Sequence, residues 1–296
     1  MPELPEVESL RLSLEPYIIN QTIKSITITK AKLVYSTGTK RIPDESKANE
    51  FIQGLTNQKI KSLTRVNKNI ILETSDGKIL LIHLKMTGQL VYQSDTETVS
   101  GGHPIKLEER LPNKHSHIIF ELEHGTLFYN DTRQFGYLLY YPSMMALEFD
   151  QHFVKLGLDP FDVNFTSEYL ARKLKESSGT IKQLFLKNSV VCGLGNIYSD
   201  EVCFFAKIRP TRTCKSLKPN EVFRVYDGIQ EILAKAIDEG GSSIANYLLA
   251  DGSRGNYANY HKVYNRAGKN CFVCDKILRK TVHAARTTVY CIKCQK

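Results

Sequence analysis

The sequence predicts an α+β chain in three parts: a β-rich N-terminal domain introduced by a helix, a helical second domain and a small cysteine-rich module. Three observations carry this reading. Between about residues 22 and 142, β-branched and aromatic runs (TIKSITIT, KIKSLTRV, NIILET, KILLIHLKM, HSHIIFELE, TLFYND, GYLLYYP) are separated by turn residues such as SDG and EHG, as expected of strands that fold back on one another. Beyond Pro160 the apolar spacing lengthens to that of helices in SEYLARKLKESS, TIKQLFLKN, NIYSDEVCFFAKI and PNEVFRVYDGIQEILAKAIDEG, broken by CGLGN and EGGSS. Near the end, Cys271-x-x-Cys274 and Cys291-x-x-Cys294 form two tight pairs.

Taken in order, the chain opens with Val7, Leu10, Leu14 and Ile18 at helical spacing, with Pro5 tolerated in a first turn. The β-rich stretch that follows fits a sandwich or a barrel. It is interrupted by DTETVSGGHPIKLEERLPNK, read as a long surface loop. After the helices, DGSRGNYANY at 251 to 260 is rich in Gly, Asn and Tyr and predicts a mobile loop. No internal repeat or low-complexity tract is evident.

At 296 residues the chain exceeds the usual size of one domain, and 42% hydrophobic against 24% charged residues describes a globular protein. The net charge of +9 is concentrated. Residues 252 to 296 hold ten Lys or Arg against one acid, Asp275, so they carry the whole excess, and the first 251 residues balance at thirty of each. A polyanion such as nucleic acid is the natural partner for such a tail, since neutralised phosphates release counterions; a solvated basic surface is the plainer alternative. The opening MPELPEVESLRLSLEP lacks an apolar signal-peptide core and no apolar run approaches the ~20 residues that span a bilayer. The expected location is therefore the cytoplasm, associated with the nucleoid. Seven cysteines, an odd number with four in tight pairs, suggest metal ligation in a reducing compartment.

The paired cysteines have the spacing of a four-thiolate zinc site. Filled by four sulfurs, the ion has no open position for a catalytic water, so it is expected to be structural, one Zn2+ per chain. Between the pairs lie Lys276, Arg279, Lys280, His283 and Arg286 among β-prone residues, which predicts a hairpin with a cationic tip suited to phosphate contact; such ribbons also bind proteins. Cys192, Cys203 and Cys214 lack ligand spacing and are read as packing. Gly193-Leu194-Gly195-Asn196 at a helix entrance lets backbone N–H groups approach an anion, or merely caps the helix. Pro2, once Met1 is removed, would carry a free secondary amine, and an α-amino group with a pKa near ~7.7–8 is partly unprotonated at neutral pH. Such an amine can attack a sugar C1′ to give an iminium. Glu3 and Glu6 stand beside it as acid or base. Read alone, these residues simply start a helix.

Together, MPELPEVE at the start, HLKMTGQL at 83 to 90, DTRQFG at 131 to 136, GLGNIYSDE at 193 to 201 and the four-cysteine ending resemble the bacterial formamidopyrimidine-DNA glycosylases. The motifs are in order and span essentially the whole chain. The resemblance implies a β-sandwich domain at 1–150, a helix–two-turn–helix domain with the lesion-reading loop at 151–262 and a zinc-finger β-hairpin at 263–296. It implies a monomer acting on double-stranded DNA with oxidised bases or abasic sites. The implied activity is bifunctional, with glycosylase excision of oxidised purines followed by β,δ-elimination at the abasic site. Pro2 resembles the Schiff-base nucleophile, Glu3 the acid assisting ring opening and base departure, Glu6 a supporting acid and Lys68 the lysine beside the lesion phosphate. Met86, Arg133 and Phe135 match the triad that fills the void left by an extruded nucleotide, a role that suits a flexible apolar wedge, a donor and a stacking ring. Asn196 and Arg286 resemble the pair on the flanking phosphates. Lys182, in TIKQLFL, resembles a lysine at the matching place in the family, and with His83 and Tyr198 of the motifs above it is taken with the DNA-binding set.

The sequence also departs from the family pattern. FLKNSVV stands where a more acidic LLDQ-type segment is usual, GGHP at 101 to 104 reads as an insertion, and DGSRGNY takes the place of the lesion-reading loop. Leu4 separates MPELPE from the MPEGPE opening of the endonuclease VIII branch, which acts on oxidised pyrimidines. That branch, and a non-catalytic zinc-dependent DNA-binding protein, are the rival readings.

Overall fold

The structure, a computed structural model, describes residues 1–35, 41–102, 110–242 and 255–296. The chain resolves into two compact units. The first is Met1–Pro2, Glu6–Val154 and Gly240–Gly255; the second is Glu3–Pro5, Lys155–Glu239 and Asn256–Lys296. Among the described residues no helix is long and apolar enough to cross a membrane.

The first unit begins with helix α1 (Leu4–Ile18), whose Val7, Leu10, Leu14 and Ile18 are all buried on one face. Two antiparallel sheets follow. Strands β1 (Ser25–Ile28), β2 (Ile60–Val66), β3 (Asn69–Thr74), β4 (Ile79–His83), β5 (Gly88–Gln93), β6 (Thr98–Gly102), β7 (Ser116–Glu121), β8 (Thr126–Asp131) and β9 (Tyr137–Tyr141) divide into a five-stranded sheet ordered β1-β7-β8-β5-β6 and a four-stranded sheet ordered β2-β3-β4-β9. Of the two architectures the strand texture allowed, this is the sandwich. One cluster joins Leu63, Ile70, Leu72, Leu80, Ile82 and Leu138 of the four-stranded sheet to Leu90, Tyr92, Ile118, Phe120, Leu127 and Tyr129 of the other, closed by the apolar face of α1. The alternate residues Ile71, Ile79, Leu81, Tyr137 and Leu139 form a second cluster with Leu147. A sheet covered on both faces needs near-continuous apolar strands rather than alternating ones, which accounts for NIILET and KILLIH.

Three local expectations are corrected. Helix α2 (Glu45–Leu55) interrupts the β-rich stretch: Asp44 caps it by accepting the Lys47 amide, and Ala48, Phe51 and Leu55 bury one stripe. Only three apolar residues mark that stripe, too few to stand out from the flanking strands. The stretch read as one surface loop contains β6, which pairs with β5 through Val91↔Ser100 and Tyr92↔Val99. Its two glycines and short length disguised it. The GGHP insertion lies outside the described residues from His103 onward. In DGSRGNYANY, Asp251–Arg254 also lie outside them, but Tyr257–Tyr260 form a short 3-10 helix with Tyr257 buried against Tyr198, ring centroids 5.7 Å apart. An aromatic side chain with a hydrophobic neighbour outweighs the turn chemistry of the Gly and Asn around it.

Short helices α3 (Met144–Glu148) and α4 (Gln151–Val154) end the first unit. The second is built on α5 (Ser167–Glu176), α6 (Ile181–Lys187), α7 (Asn196–Phe205) and α8 (Pro219–Asp238), around Leu170, Leu174, Phe185, Leu194, Tyr198, Val202, Ile229 and Leu233. Thr166 caps α5, and Thr180 with Gln183 closes a capping box on α6. The cysteine-rich module shares this unit. Its hairpin, β10 (Arg279–His283) and β11 (Arg286–Tyr290), is joined by Ala284 and Ala285 at φ 52° and 55°.

Two consecutive left-handed residues make the tightest hairpin turn, and alanine takes that conformation at a cost of about 1–2 kcal/mol per residue. Replacing the tip with Asn-Gly (Ala284→Asn, Ala285→Gly) is therefore expected to stabilise the hairpin by about 1 kcal/mol or more. Hydrogen exchange at the Thr281 and Thr288 amides, a directly opposed pair of the ladder, measures this: slower exchange is expected, and unchanged or faster exchange refutes the strain.

Candidate active site

The first residues are fixed by the glycine turn that precedes α7. The Leu4 amide donates to the Gly193 carbonyl at 3.0 Å. The Glu3 carboxylate, itself buried, accepts three backbone amides, those of Gly195 at 2.7 Å, Ile197 at 2.9 Å and Tyr198 at 3.3 Å. The carboxylate thus takes up N–H groups left without partners at a helix N-terminus. The glycines are required by space and dihedral. Gly193 has φ +89°, and a Cβ there would stand 2.5 Å from Leu4 Cβ; at Gly195 it would stand 2.4 Å from Glu3 Cδ. The opening motif and the GLGN motif are thus two halves of one structure. Asn188 completes it: left-handed at the end of α6 (φ 55°), it accepts the Gly193 amide at 2.8 Å through its side chain. This is the asparagine of the divergent FLKNSVV segment.

In the first unit Glu6 is also buried and accepts the Ser242 amide at 2.7 Å. Lys68 is buried and lies within electrostatic reach of His83. Burial, reinforced by Lys85 and Lys68, pushes the His83 pKa down to about 3, so the ring is neutral at physiological pH. Its Nδ1 accepts the Lys85 amide at 3.0 Å, which leaves the proton on Nε2 as a neutral donor.

Met86, Arg133 and Phe135 come together on the surface of this unit. Met86 is 48% exposed and Phe135 45%, and the Arg133 guanidinium sits 4.5 Å from the Phe135 ring centroid and 3.6 Å from the Met86 sulfur. Exposed apolar side chains gathered around a cation have the composition of a wedge for a base stack.

In the second unit, Asn196 at the start of α7 donates to the Thr287 carbonyl at 3.1 Å, next to the exposed Arg286. The Asn196 side-chain oxygen is buried with no hydrogen-bond partner among the described residues. The sulfurs of Cys271, Cys274, Cys291 and Cys294 all lie within 4.8 Å of one another, with Cys271 to Cys294 at 3.9 Å and Cys274 to Cys291 at 3.4 Å. No pair is bonded. Sulfurs at the corners of a tetrahedron of ~2.3 Å metal bonds stand roughly 3.8 Å apart, so the donor set fits one such ion.

The family model of the Formamidopyrimidine-DNA glycosylase N-terminal domain matches residues 1–138, and that of the Formamidopyrimidine-DNA glycosylase H2TH domain matches residues 156–247. The chain belongs to the formamidopyrimidine-DNA glycosylase family. Formamidopyrimidine-DNA glycosylase of Pelotomaculum thermopropionicum is 36% identical over 100% of this chain and 99% of its own length. That of Aliivibrio fischeri strain MJ11 is 37% identical over 100% and 98%. Among solved structures, Lactococcus lactis Fpg in complex with DNA containing an abasic site superposes with TM-score 0.84 at 33% identity, covering 99% of each chain. MutM in complex with DNA containing carbocyclic 8-oxo-G superposes with TM-score 0.83 at 32% identity, covering 100% of each.

Two members of the expected DNA-binding set lie in the interior of this family fold. Tyr198 is wholly enclosed against Tyr257. Lys182 is wholly enclosed as well; its ammonium donates to Asp200 Oδ1 at 2.6 Å and to the Thr287 carbonyl at 3.4 Å. Neither presents an atom to a phosphate, and Lys182 instead ties α6 to α7 and to the hairpin. Sequence reasoning passed over the acids that complete this arrangement. Asp200 Oδ2 accepts the Val289 amide at 2.9 Å, and the buried Glu201 accepts the amides of Lys262, Val263 and Tyr264 at 2.7–2.9 Å. Both stand in NIYSDE, where an acidic pair in a helix otherwise entirely apolar on one side was the available signal. Burial raises the Asp200 pKa to about 6 against the pull of Lys182.

Removing one partner of a buried pair leaves the other charge stranded, at a cost of about 3–5 kcal/mol. Lys182→Met is expected to lower stability by that amount in urea unfolding, and adding Asp200→Asn to recover part of it. A Lys182→Met variant of unchanged stability that only binds DNA less well would restore the surface role.

Proposed function

We propose that the protein is a bifunctional DNA glycosylase and abasic-site lyase that excises oxidised purines, 8-oxoguanine and formamidopyrimidines, from duplex DNA. The observation that carries this reading is the seating of Glu3. A chain terminus that places a proline one residue before a carboxylate held by three amides is organised beyond what starting a helix requires. The lesions carried by the DNA of the related complexes support the substrate class.

In the proposed reaction Met1 is absent and the Pro2 nitrogen is a secondary amine. Its lone pair attacks C1′ of an extruded nucleotide, the N-glycosidic bond breaks, and the base leaves with the bonding electrons and takes up a proton. The proton that the Pro2 nitrogen loses on attack passes to the Glu3 carboxylate, which delivers it to O4′ as the sugar ring opens, giving a C1′ iminium. The iminium acidifies C2′; loss of that proton expels the 3′ phosphate, and a second elimination expels the 5′ phosphate. Glu6 holds the Ser242 amide and with it the entry to the lesion-reading loop. Lys68, neutral His83, Asn196 and Arg286 grip phosphates. Met86, Arg133 and Phe135 fill the vacated stack. Lys182 and Tyr198 position α7 and the hairpin.

The experiment is borohydride trapping on an 8-oxoguanine duplex, coupled to N-terminal mass determination. A covalent adduct is expected from the Met1-free protein and none from Pro2→Gly or from chains that retain Met1. An adduct that survives both changes overturns the nucleophile, and preference for a thymine-glycol duplex overturns the substrate.

We also propose Zn2+ as the ion of the four-cysteine site. With four thiolates around it the metal holds the hairpin and takes no part in the chemistry. Chelation is expected to release one zinc per chain and to abolish duplex binding, while thermal unfolding of the β-sandwich is unchanged. Full DNA affinity after zinc release would contradict the assignment.

A further inference from the structure

The wedge residues Arg133 and Phe135 stand on the five-residue connection between β8 and β9, and Met86 stands on the connection between β4 and β5. Exposed connections of this kind ordinarily sample many conformations. Here one buried carboxylate fastens both. Asp131, at the end of β8 and fully enclosed, accepts the Gly136 amide at 2.8 Å and the Tyr129 hydroxyl at 3.1 Å through Oδ2. Through Oδ1 it accepts the Arg133 amide at 3.1 Å and the Thr87 hydroxyl. Thr87 follows Met86 directly, and its Oγ1 also receives the Arg133 amide at 3.2 Å.

From the other side Arg41 donates through Nη1 to the Gly136 carbonyl at 2.7 Å and through Nη2 to the Gln134 carbonyl at 2.5 Å. The two guanidinium nitrogens bridge two carbonyls of one turn in a fixed planar fork, a geometry that the rotatable ammonium of a lysine does not impose. Gly136 must be glycine, since a Cβ there would stand 1.8 Å from the Tyr129 hydroxyl. The backbone of the turn is therefore held by a carboxylate on its amides and a cation on its carbonyls. The side chains of Arg133 and Phe135 are left to point outward.

We propose that Asp131 and Arg41 are positioning residues that set the Met86, Arg133 and Phe135 wedge before DNA binds, so that they govern extrusion of the damaged nucleotide and not the bond-breaking steps. This rests on the glycosylase reading above. Displacing a reacting or inserting group by an ångström commonly costs about a hundredfold in rate.

The test uses full-length Asp131→Asn, Arg41→Met and Arg41→Lys, with unfolding midpoints taken for each. Arg41→Met leaves the carboxylate network in place and so keeps the test decisive if Asp131→Asn does not fold. Each variant is assayed in single turnover on an 8-oxoguanine duplex with a neighbouring 2-aminopurine, and by borohydride trapping on a single-stranded oligonucleotide bearing a preformed abasic site, which needs no extrusion. Expected are a loss of about ten- to hundredfold in duplex excision, a matching delay in the 2-aminopurine signal, and trapping within about twofold of wild type. Arg41→Lys is expected to recover part of the loss. Equal slowing on both substrates, or unchanged duplex excision by folded variants, overturns the proposal. Wild-type protein that neither excises nor traps sinks the glycosylase reading itself, a result distinct from either.

Discussion

Everything the N-terminus can do depends on the Glu3 carboxylate at the head of α7. A free chain end is ordinarily the least ordered part of a protein, and a nucleophile on such an end would spend most of its time elsewhere. Three amides at 2.7–3.3 Å on one carboxylate remove that freedom one residue from Pro2. The cost is a strict demand on the partner. The turn before α7 must bring its backbone close enough for its amides to reach, and only glycine at 193 and 195 leaves room for Leu4 and Glu3. Two short motifs almost two hundred residues apart are thereby made to depend on each other.

Helix α7 continues the same device along its length. After Glu3 at its head come Asp200, shared between Lys182 and the Val289 amide, and Glu201, which gathers three successive amides at the start of the finger. Buried charges add little net stability, because their desolvation offsets most of the attraction. What they supply is direction: a carboxylate that needs several donors tolerates one arrangement, whereas apolar packing tolerates several. The hairpin that carries Arg286 is thus aligned on the helix that carries Asn196, through Thr287 and Val289.

Much of this fold was legible in the sequence because periodicity is strong where burial is one-sided or complete. The α1 stripe of Val7, Leu10, Leu14 and Ile18, the strands of the sandwich and the cysteine spacing each carry a pattern that competing structures do not share. Helix α2 and strand β6 were not legible, since each buries too few side chains to imprint a period. Within the site, the candidate residues were named through the family resemblance, whether exposed like Met86 and Phe135 or buried like Glu3, Glu6 and Lys68. Those that act through others, Asp131, Arg41, Asp200 and Glu201, were passed over, because their partners lie far along the chain or on the backbone and only the adjacent acids of NIYSDE left a local signal. Lys182 shows the reverse difficulty: a lysine taken with the DNA-binding set by family resemblance proves to be buried against Asp200.

One regularity was invisible for a different reason. Lys68, Met86, Phe135 and Arg286 each directly follow a left-handed residue other than glycine: Asn67 at φ 58°, Lys85 at 51°, Gln134 at 55° and Ala285 at 55°. A left-handed residue reverses the chain in the fewest steps, so the next side chain stands in the connection or, as at Arg286, on the strand residue directly after it. Asparagine adopts this conformation readily, but lysine, glutamine and alanine do so only when the surroundings hold them. At Gln134 the surroundings include the Arg41 guanidinium on its carbonyl, at Lys85 the His83 ring nitrogen on its amide, and at Ala285 the hairpin ladder on either side. Glycine would relieve the strain and also return the freedom that the strain removes. On the proposed reading, a side chain that meets a duplex in one orientation is better served by a neighbour forced into place than by one free to leave it, and the local cost is carried by the sandwich and the hairpin beneath.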